Sequence, residues 1–172
     1  MLRKYFFPDV MYNSVQDIDV EDLKKHGIDF VILDIDNTLV PYTSPVPDEK
    51  ALSFLNSLTQ NEIKFCFVSN NKLKRVELFN KQIGTYAISN GAKPLLTGIK
   101  RAMRAMGAKR ENTALIGDQV FTDVCGGKRA GLYTILVNPI QECESRFFRF
   151  KRHYEKKIIK KYNSCRGRVN ND

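Results

Sequence analysis

The sequence predicts a three-layer α/β fold in which a five-stranded parallel sheet lies between two layers of helices. Short aliphatic and β-branched runs alternate along the chain with longer amphipathic segments. The runs are almost continuously apolar, which is typical of strands that are buried on both faces. The 172 residues, 42% of them apolar, suit one globular domain with its own core. This pattern indicates a Rossmann-like architecture.

The five predicted strands are apolar runs that end at polar or glycine residues. Their sequences are FVILD at 30–34, IKFCFVS at 63–69, TYAIS at 85–89, TALIG at 113–117 and YTILV at 133–137. Helices are predicted between them at 48–61, 72–83, 97–106 and 119–130, because apolar residues recur there every three or four positions. Leu52, Leu55 and Leu58 give this spacing in the first helix.

Composition argues against an exported or membrane-spanning protein. The four cysteines form no C-x-x-C pair and are predicted to be reduced thiols; they are Cys66, Cys125, Cys143 and Cys165. No apolar run approaches the roughly 20 residues of a membrane-spanning helix. The opening MLRKYFFPDVMY is too polar for a signal peptide. A cytoplasmic location is therefore expected.

Polar residues follow the ends of four predicted strands. Ligands bind at the carboxyl ends of the strands in such sheets, so these residues form one candidate site. They are Asp34, Asp36, Asn37 and Thr38 after the first strand, Ser69, Asn70 and Asn71 after the second, Lys93 after the third, and Asp118 and Asp123 after the fourth. Each one alone is also explained by a turn, a helix cap or a surface charge. Their joint occurrence at the strand ends favours a single site.

Four short motifs occur here in a fixed order: DIDNT, VSNN, AKP and GDQVFTD. Together they resemble the haloacid dehalogenase (HAD) superfamily of phosphohydrolases over residues 28–139. The spacing between motifs leaves no room for a cap domain. Three stretches are most similar to the capless subclass IIIA phosphatases of the YqeG type: residues 6–29, the motif LDIDNTLVP at 33–41, and residues 117–140. Phosphatases of this type are related to mitochondrial phosphatidylglycerophosphate phosphatases.

This resemblance implies a mechanism for the site. Asp34 is implied to be the nucleophile that forms an aspartyl-phosphate, and Asp36 the general acid and base. Ser69 and Lys93 would hold the phosphoryl oxygens, with Asn37, Thr38 and Asn70 shaping or lining the substrate site. Magnesium would be held by Asp34, the backbone carbonyl of Asp36 and Asp118, with Asp123 acting through water.

The resemblance and the absence of a cap together suggest the substrate. An uncapped site stays open to solvent, which favours a large or surface-bound phosphoester. Phosphatidylglycerophosphate is the substrate that the related phosphatases suggest. There are two alternatives. The enzyme could act on another macromolecular or small phosphoester, or the chain could be a nucleic-acid or ribosome-binding module that retains the fold.

The basic charge of the chain lies in its C-terminal tail. Residues 1–145 hold 18 Lys and Arg against 17 Asp and Glu, whereas residues 146–172 hold 10 against 2. Aromatic and aliphatic residues recur at helical spacing in this tail, at Phe147, Phe150, Tyr154, Ile158 and Tyr162. We therefore divide the chain into a catalytic domain at 1–145 and a basic amphipathic tail at 146–172. Residues 146–168 are expected to bind an anionic membrane without taking part in catalysis; packing on the domain and nucleic-acid binding are the alternatives.

Overall fold

The computed structural model describes residues 2–141 and 146–166. Seven α-helices and six strands alternate along these residues, with short 3₁₀ turns at Val15–Asp17 and Arg110–Asn112. In chain order they are α1 (Leu2–Phe6), β1 (Val10–Tyr12), α2 (Val20–Lys25), β2 (Phe30–Leu33), α3 (Glu49–Gln60), β3 (Lys64–Val68), α4 (Leu73–Asn80), β4 (Ala87–Ile88), α5 (Leu96–Met106), β5 (Thr113–Gly117), α6 (Cys125–Ala130), β6 (Tyr133–Val137) and α7 (Arg146–Arg166).

The strands form one parallel sheet in the order β1-β6-β5-β2-β3-β4. The predicted parallel α/β fold is confirmed, and the sheet has six strands rather than the predicted five. The additional strand, β1, is only three residues long and half-buried at the sheet edge. It therefore lacks the buried apolar run by which the other strands were predicted.

Two of the predicted helices form within the expected segments, a third, α5, begins one residue earlier than predicted, and the fourth is divided. Residues 119–130 begin as a wide π turn, Val120–Val124, and continue as α6. The amides of Asp123 and Val124 both donate to the Gln119 carbonyl, at 2.9 and 3.2 Å, which widens this turn. Turns of this kind are frequent at functional sites.

Successive residues of β2 point to opposite faces of the sheet, as strand geometry requires. Val31 and Leu33 pack with α2, α3 and α4 in one apolar cluster, and Ile32 packs with α5 and α6 in another. The sheet is therefore covered on both sides, and its central strands are buried. The cysteines Cys66, Cys125 and Cys165 carry free thiols, and Cys143 lies outside the described residues.

Strands β2 and β5 are neighbours at the centre of the sheet. From β2 the chain proceeds to β3 and β4 on one side, and from β5 to β6 on the other. This reversal creates a crevice at the carboxyl ends of β2 and β5, where ligands bind in sheets of this type. The fold therefore brings the segment after Leu33 next to the segment after Gly117.

The apolar packing of helix α7 on the domain comes from its C-terminal half. Ile158 and Ile159 contact an apolar cluster on the π turn and β6, and the Tyr162 ring contacts Phe7 with 5.6 Å between centroids. Phe150 and Tyr154 remain exposed, so the predicted apolar stripe is divided between two environments. The structure does not describe the side chain of Phe147 or residues 167–172. No helix in the described ranges has the length and apolar character to cross a membrane.

Candidate active site

A buried lysine connects two carboxylates at the carboxyl edge of the sheet. Lys93 Nζ lies 2.7 Å from Asp34 Oδ1 and 2.7 Å from Asp123 Oδ1. Asp34 directly follows β2, Lys93 follows β4, and Asp123 lies on the π turn after β5. The parallel sheet thus brings together three of the residues that the sequence assigned to one site.

Asp118, the first acid after β5, is held from two sides. The Thr38 hydroxyl lies 3.5 Å from Asp118 Oδ1 and 3.4 Å from Asp34 Oδ2, so it stands between the two carboxylates. On the other side, the Arg152 guanidinium forms a salt bridge with Asp118 Oδ2 and donates to the Asp118 carbonyl at 2.6 Å. Thr38 therefore contacts the acids themselves, in addition to its place in the loop after β2.

The carboxylates of Asp34, Asp118 and Asp123 offer oxygens that all lie within 4.8 Å of one another. A cluster of buried carboxylate oxygens fits a hard divalent cation, which would offset their mutual repulsion. When bound, such a cation supplies charge neutralisation to an approaching phosphate. The carboxylate of Asp36 is not part of this cluster.

Gly117 allows Asp123 to reach the cluster. A Cβ atom at this position would lie 2.3 Å from the Asp123 carboxyl carbon, a distance that real structures do not tolerate. The other Asp123 oxygen, Oδ2, accepts a hydrogen bond from the Gln119 amide at 3.0 Å. The end of β5 and the π turn therefore fix this acid against the strand.

Burial and charge shift the protonation of the cluster. Burial raises the pKa of Asp34 to about 7, although the attraction of Lys93 opposes this change. Burial likewise raises the pKa of Asp118 to about 6, with Arg152 acting in the opposite direction. Burial by itself lowers the pKa of Lys93, but its ion pairs with Asp123 and Asp34 outweigh that effect and raise it. Lys93 therefore remains a cation beside Asp34, whose carboxyl titrates near neutral pH.

Asp36 is held by Asn71, one of the polar residues that follow the second predicted strand, and by Arg75, which the sequence did not assign to the site. Its Oδ1 accepts from Arg75 Nε at 3.1 Å, and its Oδ2 accepts from the Asn71 side-chain amide at 3.1 Å. Arg75 also donates to the Pro45 carbonyl, at 3.1 Å. These contacts fix the direction of the carboxylate and tie the loop after β2 to the start of α4.

The remaining predicted residues support the loops around the acids. The Asn70 side chain exchanges two hydrogen bonds with the backbone of Lys93, at 2.9 and 2.7 Å, so it positions the lysine. The buried Ser69 hydroxyl accepts from the Asn71 amide at 3.0 Å and keeps its own proton for donation. The Asn37 backbone amide donates to the Val40 carbonyl at 2.8 Å and closes the loop after β2.

Helix α7 supplies site residues that the sequence analysis missed. Arg152 contacts Asp118, and Glu155 joins Arg152 Nη1 at 3.1 Å to the Phe121 amide, also at 3.1 Å. Nothing distinguished Arg152 from the other basic residues of the tail. Glu155 did carry a signal, because it is the single acid between residues 146 and 171 and is almost fully buried.

Comparisons with known proteins agree with this geometry. Residues 31–93 match the family of haloacid dehalogenase-like hydrolases, and residues 91–139 match the HAD-hydrolase-like family. The chain is 37% identical over 159 residues to "Probable phosphatase YqeG" of Bacillus subtilis (strain 168), and this match covers 92% of each chain.

More distant similarities extend the comparison. The chain is 25% identical to "Phosphatidylglycerophosphate phosphatase 1, chloroplastic/mitochondrial" of Arabidopsis thaliana; the match covers 93% of this chain and 49% of the relative, so the chain spans about half of that relative's length. A 4-nitrophenylphosphatase from Thermotoga maritima shares the fold, with a TM-score of 0.51 and 15% identity, over 74% of this chain and 90% of that one.

A carboxylate at a strand end, beside a buried lysine and an acid cluster, is an arrangement suited to phosphoryl transfer. The match to the Bacillus protein extends over nearly the whole chain. The chain belongs to the haloacid dehalogenase-like hydrolases. It is a phosphatase related to YqeG and to phosphatidylglycerophosphate phosphatases.

The contact between Arg152 and Asp118 predicts the behaviour of an Arg152→Ala variant. Asp118 and Glu155 would remain buried without their cation, and breaking such a pair costs about 3–5 kcal/mol of unfolding free energy. A bound divalent cation would restore the missing charge, so added magnesium should raise the melting temperature of the variant more than that of the wild type. Differential scanning calorimetry with and without magnesium measures both effects.

Arg149 provides the matched control because it lies on the same helix and is exposed. Arg149→Ala should change the unfolding free energy by no more than about 0.5 kcal/mol. Equal magnesium shifts in the Arg152 variant and the wild type would contradict the assigned contact. The contact also means that Asp118 would lose its cation if residues 146–168 were removed.

The raised pKa values of Asp34 and Asp118 predict a pH dependence of metal binding. Both carboxyls must lose their protons to bind a cation, so protons compete with the metal below about pH 7. The apparent magnesium affinity should fall by about tenfold or more between about pH 8 and about pH 6. Isothermal titration calorimetry at several pH values measures this change, and an affinity that does not vary with pH would contradict it.

Proposed function

We propose that this protein is a Mg²⁺-dependent phosphomonoester hydrolase that acts through an aspartyl-phosphate on phosphatidylglycerophosphate. The observation that carries the proposal is the buried cluster of Asp34, Asp118 and Asp123 with Lys93 between two of its acids. Carboxylate oxygens suit Mg²⁺, and Asp34 stands at the strand end where a phosphate would enter.

In the first step an Asp34 oxygen attacks phosphorus, and the bond from phosphorus to the alcohol oxygen breaks. Asp36 gives a proton to the departing alkoxide. In the second step water attacks the aspartyl-phosphate, Asp36 takes a proton from that water, and the Asp34 carboxylate is released with inorganic phosphate. Lys93 and the Ser69 hydroxyl stabilise the charge on the phosphoryl oxygens in both steps.

Two observations support a lipid substrate. The name of the Arabidopsis relative assigns phosphatidylglycerophosphate to that protein. In addition, the described chain has no cap: residues 35–68 hold a loop, α3 and β3, and residues 70–92 hold α4 and β4. A site without a cap can accept a phosphate head group that remains in a membrane surface.

The proposal includes an anionic membrane surface, at the inner leaflet of a cytoplasmic membrane, as the partner of residues 146–168. The support lies in the N-terminal half of α7, where the exposed rings of Phe150 and Tyr154 contact each other with 5.0 Å between centroids. Arg149 directly precedes Phe150, and Lys157 Nζ lies 5.3 Å from the Tyr154 ring centroid. Aromatic and basic residues together favour anionic lipid interfaces.

The role of Asp36 as a general acid predicts a dependence on the leaving group. Asp36→Asn should lower kcat/KM by about 10²–10⁴-fold for an alkyl phosphate, whose alkoxide requires a proton. The loss should be much smaller for 4-nitrophenyl phosphate, because nitrophenolate leaves without protonation. Steady-state kinetics on both substrates measures the difference. Equal losses would show that Asp36 only shapes the loop.

The substrate proposal predicts a ranking of catalytic efficiencies. Phosphatidylglycerophosphate in mixed micelles should be hydrolysed with a higher kcat/KM than any sugar phosphate or nucleotide, because the open site cannot enclose a small molecule. Asp34→Asn should abolish phosphate release from every substrate, since a carboxamide is a far poorer nucleophile. A phosphate-release panel with and without Mg²⁺ tests both points, and a small metabolite that outperforms the lipid would overturn the ranking.

A further inference from the structure

The exposed apolar residues of this protein are concentrated around the active site. Of nine large apolar side chains that are exposed among the described residues, six lie on segments that follow the carboxyl ends of the strands or on the adjoining part of α7. We call these six the apolar rim: Tyr42, Val46, Leu73, Leu95, Ile140 and Phe150. Single exposed apolar residues are ordinary, but their concentration in one place marks an interaction surface.

Contacts in the structure locate the rim residues at the site. Val46 follows Pro45, whose carbonyl accepts from the arginine that holds Asp36. Leu73 lies two residues after Asn71, the other partner of Asp36. Leu95 lies two residues after Lys93. Three segments of the rim are therefore joined directly to catalytic side chains.

The other three rim residues lie on further segments next to the site. The Ile140 amide donates to the Asn37 carbonyl at 3.1 Å. Tyr42 lies two residues after Val40, which accepts the Asn37 amide. Phe150 lies two residues before Arg152, the partner of Asp118. The rim residues thus lie on the loops after β2, β3, β4 and β6 and on α7, which are the segments that also carry the contacts of the site.

Exposed cations accompany the rim. Lys72 and Lys74 flank Leu73, and Arg149 precedes Phe150. Arg129 donates to the Pro94 carbonyl at 3.0 Å, next to Leu95. Apolar side chains with lysine and arginine beside them complement a surface that is apolar below and negatively charged above, which is the composition of an anionic bilayer interface.

We infer that the carboxyl edge of the sheet is the membrane-docking face of this protein, and that the apolar rim enters an anionic lipid interface around the active-site mouth. The identity of the lipid that is hydrolysed rests on the proposed function, but the docking face does not. In this orientation a phosphate head group meets Asp34 without leaving the membrane. The inserted rim also excludes bulk water from the mouth, as a cap does in an enclosed site.

Matched double variants test the docking face. Leu73→Gln with Leu95→Gln removes two rim side chains. The control, Leu78→Gln with Tyr86→Gln, removes two similarly exposed side chains that lie toward the amino edge of the sheet, near the end of α4 and just before β4. Partitioning onto phosphatidylglycerol vesicles, measured by co-sedimentation, should fall by about tenfold or more for the rim variant and remain unchanged for the control.

A fluorescent reporter gives an independent readout because the chain contains no tryptophan. Leu95→Trp should show a blue-shifted emission with phosphatidylglycerol vesicles and quenching by brominated lipids, whereas Tyr86→Trp should show neither. The binding of both variants should weaken with added salt, since the attraction of the flanking cations is screened over roughly 10 Å at 0.1 M. Circular dichroism and turnover of 4-nitrophenyl phosphate check that each variant is folded.

The outcomes separate this inference from the proposed substrate. Rim-dependent vesicle binding without hydrolysis of phosphatidylglycerophosphate would retain the docking face and reject the substrate. Hydrolysis in micelles without vesicle binding, or equal losses in the rim and control variants, would overturn the docking face. Two further outcomes would overturn the inference and assign the surface to another partner. The first is wild-type protein that does not bind vesicles but binds RNA tightly, and the second is self-association through the rim in sedimentation equilibrium.

Discussion

The ion pairs of Lys93 with Asp34 and Asp123 are the interaction on which the rest of the site depends. Three carboxylates within 4.8 Å of one another repel strongly when they are buried, and an unpaired charge in such a place costs several kcal/mol. The lysine places a positive charge between two of them. Asn70 fixes the backbone of this lysine, and Gly117 leaves the space that Asp123 occupies. The loops at this edge of the sheet therefore lower the free-energy cost of burying the acid cluster before a metal and a phosphate bind.

The third acid, Asp118, forms its ion pair with a different cation. Arg152 supplies that charge from α7, far away in sequence, and Glu155 holds the arginine in turn. The same helix buries Tyr162 and contacts β6 through Ile158 and Ile159. A boundary at residue 145 therefore separates two parts of different charge composition, but the ion pair between Asp118 and Arg152 crosses it. Domain and tail are distinct in charge, yet they share the environment of a single carboxylate.

The parts of the molecule that depend on a local sequence pattern could be predicted from the sequence. β5 and β6 form at the predicted residues because their apolar runs are buried on both faces, and the rule for parallel sheets then brings Asp34, Lys93, Asp118 and Asp123 together. The sequence failed where partners are distant or the pattern is weak. β1 is a three-residue edge strand without a buried run. Arg152 looked like any other cation of the tail, since only tertiary packing selects it for Asp118.

Helix geometry connects the surface of this protein to its chemistry. Residues two apart on an α-helix point in directions about 200° apart, so neighbours of this kind face opposite sides. Phe150 and Arg152 have this relation: Phe150 is 63% exposed to solvent, while the Arg152 guanidinium reaches Asp118. A rigid turn of α7 thus joins an outward apolar side chain to the environment of an acid in the cluster. A partner that held Phe150 would therefore also hold the turn of α7 from which Arg152 reaches Asp118.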